Sequence, residues 1–236
     1  LSPGSCGEFI QGVYSGEPCL VSCPVNLYSR ITIQEGPAQR MLSDKAVRML
    51  ELIFNAYGLP RAEKHRIDIT LTSEIPLEKG MASSTADIAG LAAGLNAYYR
   101  LGMDTRRLSE LCIAIEPTDN TMFRHLNLFN HMAGDILMDF KTELHASVLI
   151  IVFHNQREGY GVKEKAAFEE VVRQFQTGVT AGNMAAVGAA CTESARLNQR
   201  ILYKPHLETL ITLCRRHGGY GVVGGHSGTV IGILYN

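Results

Sequence analysis

Residues 76–99 constrain what this chain can fold into more than any other stretch. Ala86, Ala89, Gly90, Ala93, Gly94 and Ala97 recur at helical spacing, so one face of a helix carries only small side chains. Ile88, Leu91, Leu95 and Tyr99 supply bulk on another face. A helix apolar on most sides is buried. Its two glycines each cost about 1 kcal/mol of helix propensity, which close packing against a sheet or helix must offset. The loop before it reads Pro76-Leu-Glu-Lys-Gly-Met-Ala-Ser-Ser-Thr85. The first turn of a helix presents unpaired N–H groups and a partial positive charge. Gly80 and Ala82 let phosphate oxygens approach those amides, and Lys79 adds a positive charge. Ser83, Ser84 and Thr85 offer hydroxyls that can contact phosphate, ligate Mg²⁺ or cap the helix. By itself the segment reads either as an anion site or as a well-capped core helix.

The rest of the composition narrows the function classes. In 236 residues, 46% are apolar and 19% charged, enough for a sizeable core and too apolar for wholesale disorder. A net charge of -1 argues against a broad nucleic-acid face. The longest strongly apolar run, Ser147 to Phe153, is far shorter than the roughly 20 residues that cross a bilayer, and no charged leader opens the chain. The cysteines (Cys6, Cys19, Cys23, Cys112, Cys191 and Cys214) form no CxxC or zinc-like spacing. They read as buried thiols of a reducing, cytoplasmic protein.

Periodicity predicts extended structure over the first 35 residues, with turn signals at Gly12, Ser15-Gly16 and Pro24. Helices are expected over 45–57, from about 84 to 101, over 105–116 (capped by Asp104 or Thr105), 163–176, 184–197 and 205–217. Strands are expected at 66–72, at 148–153 as a buried strand, and near 220–223 and 229–234. The mixture lacks strict βα alternation and favours an α+β layered fold. A boundary falls between 1–145 and 146–236. The connections near Gly36-Pro37 and His154-Asn155 look abrupt.

Three further segments carry chemistry. Gly219 to Gly224 spells G-x-G-x-x-G, but only twelve residues follow, leaving no room for a dinucleotide-binding βαβ unit. Gly225-His-Ser-Gly-Thr229 fails as a hydrolase elbow because Thr229 replaces its last glycine. Glu116 ends a helix, where a carboxylate meets the negative end of the dipole at a cost of ~0.3–1 kcal/mol; a bound cation would reverse that sign. Otherwise it is a solvated glutamate. Asp119 reads as a base, a ligand for a substrate ammonium, or a turn former before Asn120.

Together these motifs resemble the GHMP kinases, named for galactokinase, homoserine kinase, mevalonate kinase and phosphomevalonate kinase. The family's phosphate loop runs roughly P-x-x-x-G-L-x-S-S-A; here Met81 replaces the Leu and Thr85 precedes the Ala. Gly219 to Thr229 is similar to the family's C-terminal glycine-rich turn. Pro3-Gly-Ser-Cys-Gly-Glu-Phe-Ile-Gln-Gly12, with Ser22-Cys-Pro-Val25 and Glu116-Pro-Thr-Asp119, resembles the branch that phosphorylates L-threonine for the aminopropanol arm of cobalamin. The resemblance implies a two-lobed fold: an N-terminal ATP-binding lobe with a left-handed βαβ unit, against the usual rule, and a ferredoxin-like C-terminal lobe. It implies ATP at Glu78, Lys79, Gly80, Met81, Ala82, Ser83, Ser84 and Thr85, and Mg²⁺ at Ser84 and Glu116. Ser84, Glu116 and Asp119 would serve catalysis. Ser5, Cys6, Gly7, Glu8, Asp119, Gly225, His226 and Ser227 would meet a small-molecule amino-acid substrate. No nucleic-acid or membrane partner is expected, and an oligomer is not readable. Homoserine or another small alcohol as acceptor, and a non-catalytic nucleotide or metabolite sensor on the same fold, stay open at this point.

Overall fold

The computed structural model describes residues 1–37, 41–153, 165–225 and 228–236. Its frame is a long hairpin of β1 (Ser2–Tyr14) and β2 (Glu17–Glu35). Ser15 and Gly16, at φ 50° and 86°, close it as the two left-handed residues that a tight hairpin turn needs. Gly12 and Pro24 do not break the strands as their residue types suggest. Gly12 pairs with Cys19, and a Cβ there would fall 2.2 Å from the Phe168 ring, so the glycine makes room for a helix. Pro24 pairs with Ser5 where the register shifts, a position that tolerates a missing N–H.

Next come α1 (Asp44–Ala56), a 3₁₀ turn (Arg61–His65), β3 (Ile67–Ser73), α2 (Ser83–Tyr99), α3 (Thr105–Ile113), β4 (Asn127–Phe129), β5 (Ile136–Asp139) and β6 (Ser147–Val152). The chain ends with α4 (Lys165–Thr180), α5 (Met184–Asn198), α6 (Leu207–Arg216), β7 (Gly221–Gly224) and β8 (Val230–Tyr235). One sheet runs β5-β4-β2-β1-β7-β8-β6, with β3 paired to the far half of β2. It joins strands from both ends of the chain, β1 and β7 pairing at Glu8 and Gly224.

The small face of α2 packs as its spacing demands. Cβ atoms added at Gly90 and Gly94 would lie 2.2 Å from Ile31 Cδ1 and 3.1 Å from Ile33 Cδ1, so helix backbone rides directly on β2. Asp87 fixes the register by accepting a hydrogen bond from Ser29 Oγ (2.5 Å). α1, α2 and α3 share one core with Ile67 and Ile69, while Phe168, Phe175 and Val187 of α4 and α5 are buried in the other half. Asp104, rather than Thr105, caps α3 by accepting from Arg107 N–H (2.7 Å).

Three expectations need correction. Among the described residues, β6 is the last strand of the sheet, paired on one side by β8 alone, and Leu149 and Val152 are exposed rather than buried. α3 ends at Ile113, so Glu116 sits on the turn beyond it, its N–H donating to Cys112 O (3.1 Å). β4 and β5 escape periodicity because three- and four-residue strands have too few alternations to detect. Among the described residues, no helix is long and apolar enough to cross a membrane.

All six cysteines are buried free thiols. Burial pushes Cys6, Cys19 and Cys112 from an ordinary 9.0 up to about 12. Unfolding releases them to ionise near 9, so between pH 9 and 12 the folded chain binds more protons and stability falls as pH rises. Urea midpoints measured under reducing conditions should drop steadily from pH 8.5 to 10.5. A flat profile would contradict this burial.

Candidate active site

The loop before α2 adopts an unusual backbone. Glu78, Gly80 and Ala82 have φ of 58°, 76° and 56°, while Lys79 and Met81 do not share the left-handed region. Left-handed residues of this kind, where they alternate with right-handed ones, turn successive N–H groups toward one side, as in anion-binding nests. Ala82 occupies the N-cap of α2, and no described side chain caps the helix. The hydroxyls of 83–85 therefore do not consume the amides of the first turn, contrary to the capped-core-helix alternative.

Two strands hold this loop. Ser5 N–H donates to Met81 O (3.0 Å) from β1, and Thr229 and Val230 N–H both donate to Lys79 O (3.0 Å each) from the start of β8. Gly228, at φ 76°, lies against the loop so closely that a Cβ would stand 2.3 Å from Gly80 N. Left-handed backbone at two non-glycine residues costs energy, which this clamping offsets.

Ser84 and Glu116 meet at the amino end of α2. Ser84 Oγ donates to Glu116 Oε1. Lys45, from the first turn of α1, donates to Ser84 Oγ (2.9 Å) and to Glu116 Oε2 (2.5 Å). An ammonium thus stands against two hard oxygen donors. Mg²⁺ takes such donors, usually one or two from protein with the rest from water and phosphate, so the pair fits that ion.

Beyond Pro117 the chain turns back under the site. Asn120 exchanges hydrogen bonds with Ser22, its Oδ1 accepting from Ser22 N–H (2.9 Å) and its N–H donating to Ser22 Oγ (3.2 Å). Ser22 Oγ also lies 3.2 Å from Asp119 Oδ1, and Thr118 Oγ1 lies 3.1 Å from Thr85 Oγ1. These contacts fix Asp119 on a pinned loop.

A cavity of about 380 Å³ joins these pieces. Glu78, Gly80 through Thr85, Glu116, Asp119 and Glu8 line it. Lys79 contributes its backbone carbonyl to the clamp instead. Ser5, Cys6 and Gly7 do not line the cavity: they are buried beneath the loop, Ser5 bonded to Met81 and Gly7 packed on Gly225. Gly225 donates to Val230 O (3.3 Å) in the turn. His226 and Ser227 lie outside the described residues.

This geometry agrees with two family profiles. The one described as GHMP kinases N terminal domain matches residues 44–125, and GHMP kinases C terminal matches 163–236. The L-threonine kinase of Citrobacter freundii is 33% identical over 242 residues, covering 98% of this chain and 84% of that protein. The chain is a GHMP kinase. The L-threonine kinase of Salmonella typhimurium is 31% identical over 98% of this chain and 81% of its own length. Among solved structures, Streptococcus pneumoniae phosphomevalonate kinase superposes with a TM-score of 0.72 at 13% identity, over 100% of this chain and 89% of that one. Methanococcus jannaschii mevalonate kinase gives 0.67 at 16% identity over 100% and 89%. Those two likenesses establish the fold. The family makes the chain an ATP-dependent small-molecule kinase.

Sequence reading of this GHMP kinase missed Lys45, which lies 39 residues before Ser84 and meets it only when α1 packs on α2. It also missed Thr118 and Asn120; the only signal was a polar run that turns out to be buried.

Gly228→Ala tests the clamp. The added methyl meets backbone, not a movable side-chain tip, and the left-handed φ adds strain. We expect a destabilisation of at least ~1 kcal/mol in urea unfolding, and weakened binding of an ATP analogue by calorimetry. Wild-type affinity would show that the turn does not support the loop.

Proposed function

We propose that this chain transfers the γ-phosphate of ATP to the hydroxyl of free L-threonine, giving O-phospho-L-threonine for cobalamin (aminopropanol) biosynthesis in the cytoplasm. The observation that carries the reading is the shared cavity: the phosphate-loop residues and the amino end of α2 line it together with the acidic residues Glu8 and Asp119. A free amino acid needs an anion for its ammonium, and these two groups offer it. The full-length likeness to two proteins named L-threonine kinase supports the same acceptor. In this reading residues 1–145 form the ATP-binding lobe and 146–236 the C-terminal lobe.

Each part of the cavity then has its own task. Glu78 to Thr85 cradle the phosphates through backbone amides and hydroxyls, and Lys79 adds charge. Ser84 and Glu116 would hold Mg²⁺, which supplies neutralisation of phosphate charge. Lys45 already delivers a cation to the same two oxygens, and its exposed side chain can turn toward phosphate as nucleotide enters. Asp119 takes the substrate side, oriented by Ser22. The acceptor hydroxyl then attacks the γ-phosphorus in line; the bond from that phosphorus to the β–γ bridging oxygen breaks, ADP leaves, and the hydroxyl proton passes to an oxygen of the transferred phosphoryl group. Positioning and charge stabilisation supply most of the acceleration in such transfers.

ADP release across a panel of free amino acids tests the acceptor: threonine should outrun serine and homoserine. Preference for homoserine would reassign the substrate, and no stimulated release would leave a nucleotide sensor. Ser84→Ala and Glu116→Ala should each lower turnover by about 100-fold or more. Their melting temperatures should stay near wild type, since the hydrogen bonds and ion pair that these substitutions remove are partly exposed. Unchanged turnover in both would remove the pair from the chemistry.

A further inference from the structure

Lys204 has no role in the reading above, yet its setting is costly. It sits between α5 and α6 and is only 8% exposed. The side chain of Gln199 holds its backbone at both ends, Oε1 accepting from Lys204 N–H (2.5 Å) and Nε2 donating to Lys204 O (2.9 Å). The stem is thereby aimed along Gly224, whose added Cβ would meet Lys204 Cε at 3.6 Å. The ammonium donates to Gly228 O (3.0 Å), in the turn that rests on the phosphate loop. It also interacts with Glu8 of β1, the strand partner of Gly224, with the Cys6 thiol nearby. Burial draws the ammonium down to about 8, and Glu8 opposes that shift.

Glu8 poses the complementary problem. It is a carboxylate only 4% exposed, yet it lines the cavity. A buried charged group is costly unless a partner of opposite charge and hydrogen bonds hold it in place. The two groups come from opposite ends of the chain, so they meet only when β1 packs beside β7 and the segment between α5 and α6.

We propose that Lys204 is a positioning residue: it holds Glu8 in place at the cavity wall, so that recognition of the amino-acid ammonium depends on a lysine that does not itself line the cavity. This rests on the free-amino-acid reading above. It requires no change in the chemistry, only a further residue that orders the acceptor site.

The test compares wild type with Lys204→Met, Glu8→Gln, the double variant and Lys204→Arg, using threonine as the varied substrate and calorimetry with an ATP analogue. Lys204→Met should raise KM for threonine roughly tenfold or more, with analogue affinity within about threefold of wild type. Lys204→Arg should recover part of the loss. The double variant should bind threonine no worse than Glu8→Gln alone, because one residue acts through the other. Losses that multiply in the double variant, or a Lys204→Met defect equal for analogue and threonine, would overturn the link. Should Lys204→Met fail to fold, a threonine KM in Glu8→Gln equal to that of wild type would overturn it as well. Wild-type protein that uses no free amino acid sinks the acceptor reading instead. The coupling is then read from urea midpoints of the same proteins, where strictly additive changes reject the Lys204–Glu8 pair and non-additive ones retain it.

Discussion

The carbonyl of Lys79 is the point on which the site depends. Two N–H groups from residues 229 and 230 converge on it, and two residues further along Ser5 N–H holds the carbonyl of Met81. The loop between β3 and α2 is therefore gripped by the start of the last strand and by the first strand of the chain. That grip lets Glu78 and Ala82 stay in a left-handed backbone that neither residue type favours. Beside it lies a helix start with no side-chain cap, where free N–H groups and the helix dipole favour an anion.

Charge in the site is arranged locally rather than through the net charge of the molecule. Two lysine–glutamate relationships differ in kind. Lys45 and Glu116 lie near solvent, where an ion pair contributes little and is easily exchanged. Lys204 and Glu8 are both buried, where removing one partner leaves an uncompensated charge at high cost. Such a pair suits a fixed wall.

Much of the fold was legible in the residues. The six helices α1 to α6 follow from periodicity, as does the extended character of the first 35 residues with a turn at Ser15-Gly16, and the small face of α2 announced a close approach that Gly90 and Gly94 make against Ile31 and Ile33. Gly12 and Pro24 misled because turn-forming residue types also serve strands, one by leaving space and the other at a register shift. β6 misled because an apolar run says nothing about whether a strand lies in the middle or at the rim of a sheet.

What the sequence by itself determined was local: the amide-rich loop, the helix that follows it, the carboxylate after α3 and the glycine turn near the end. Each is a short-range pattern, set by backbone preference and side-chain size within a few residues. Only the tertiary structure decided which of them share a space. Lys45 reaches Ser84 across 39 residues and Lys204 reaches Gly228 across 24, and both distances close through helix and sheet packing that no local pattern encodes. Charges separated along a chain interact only once packing brings them together and removes water, so the electrostatics of this site belong to the fold.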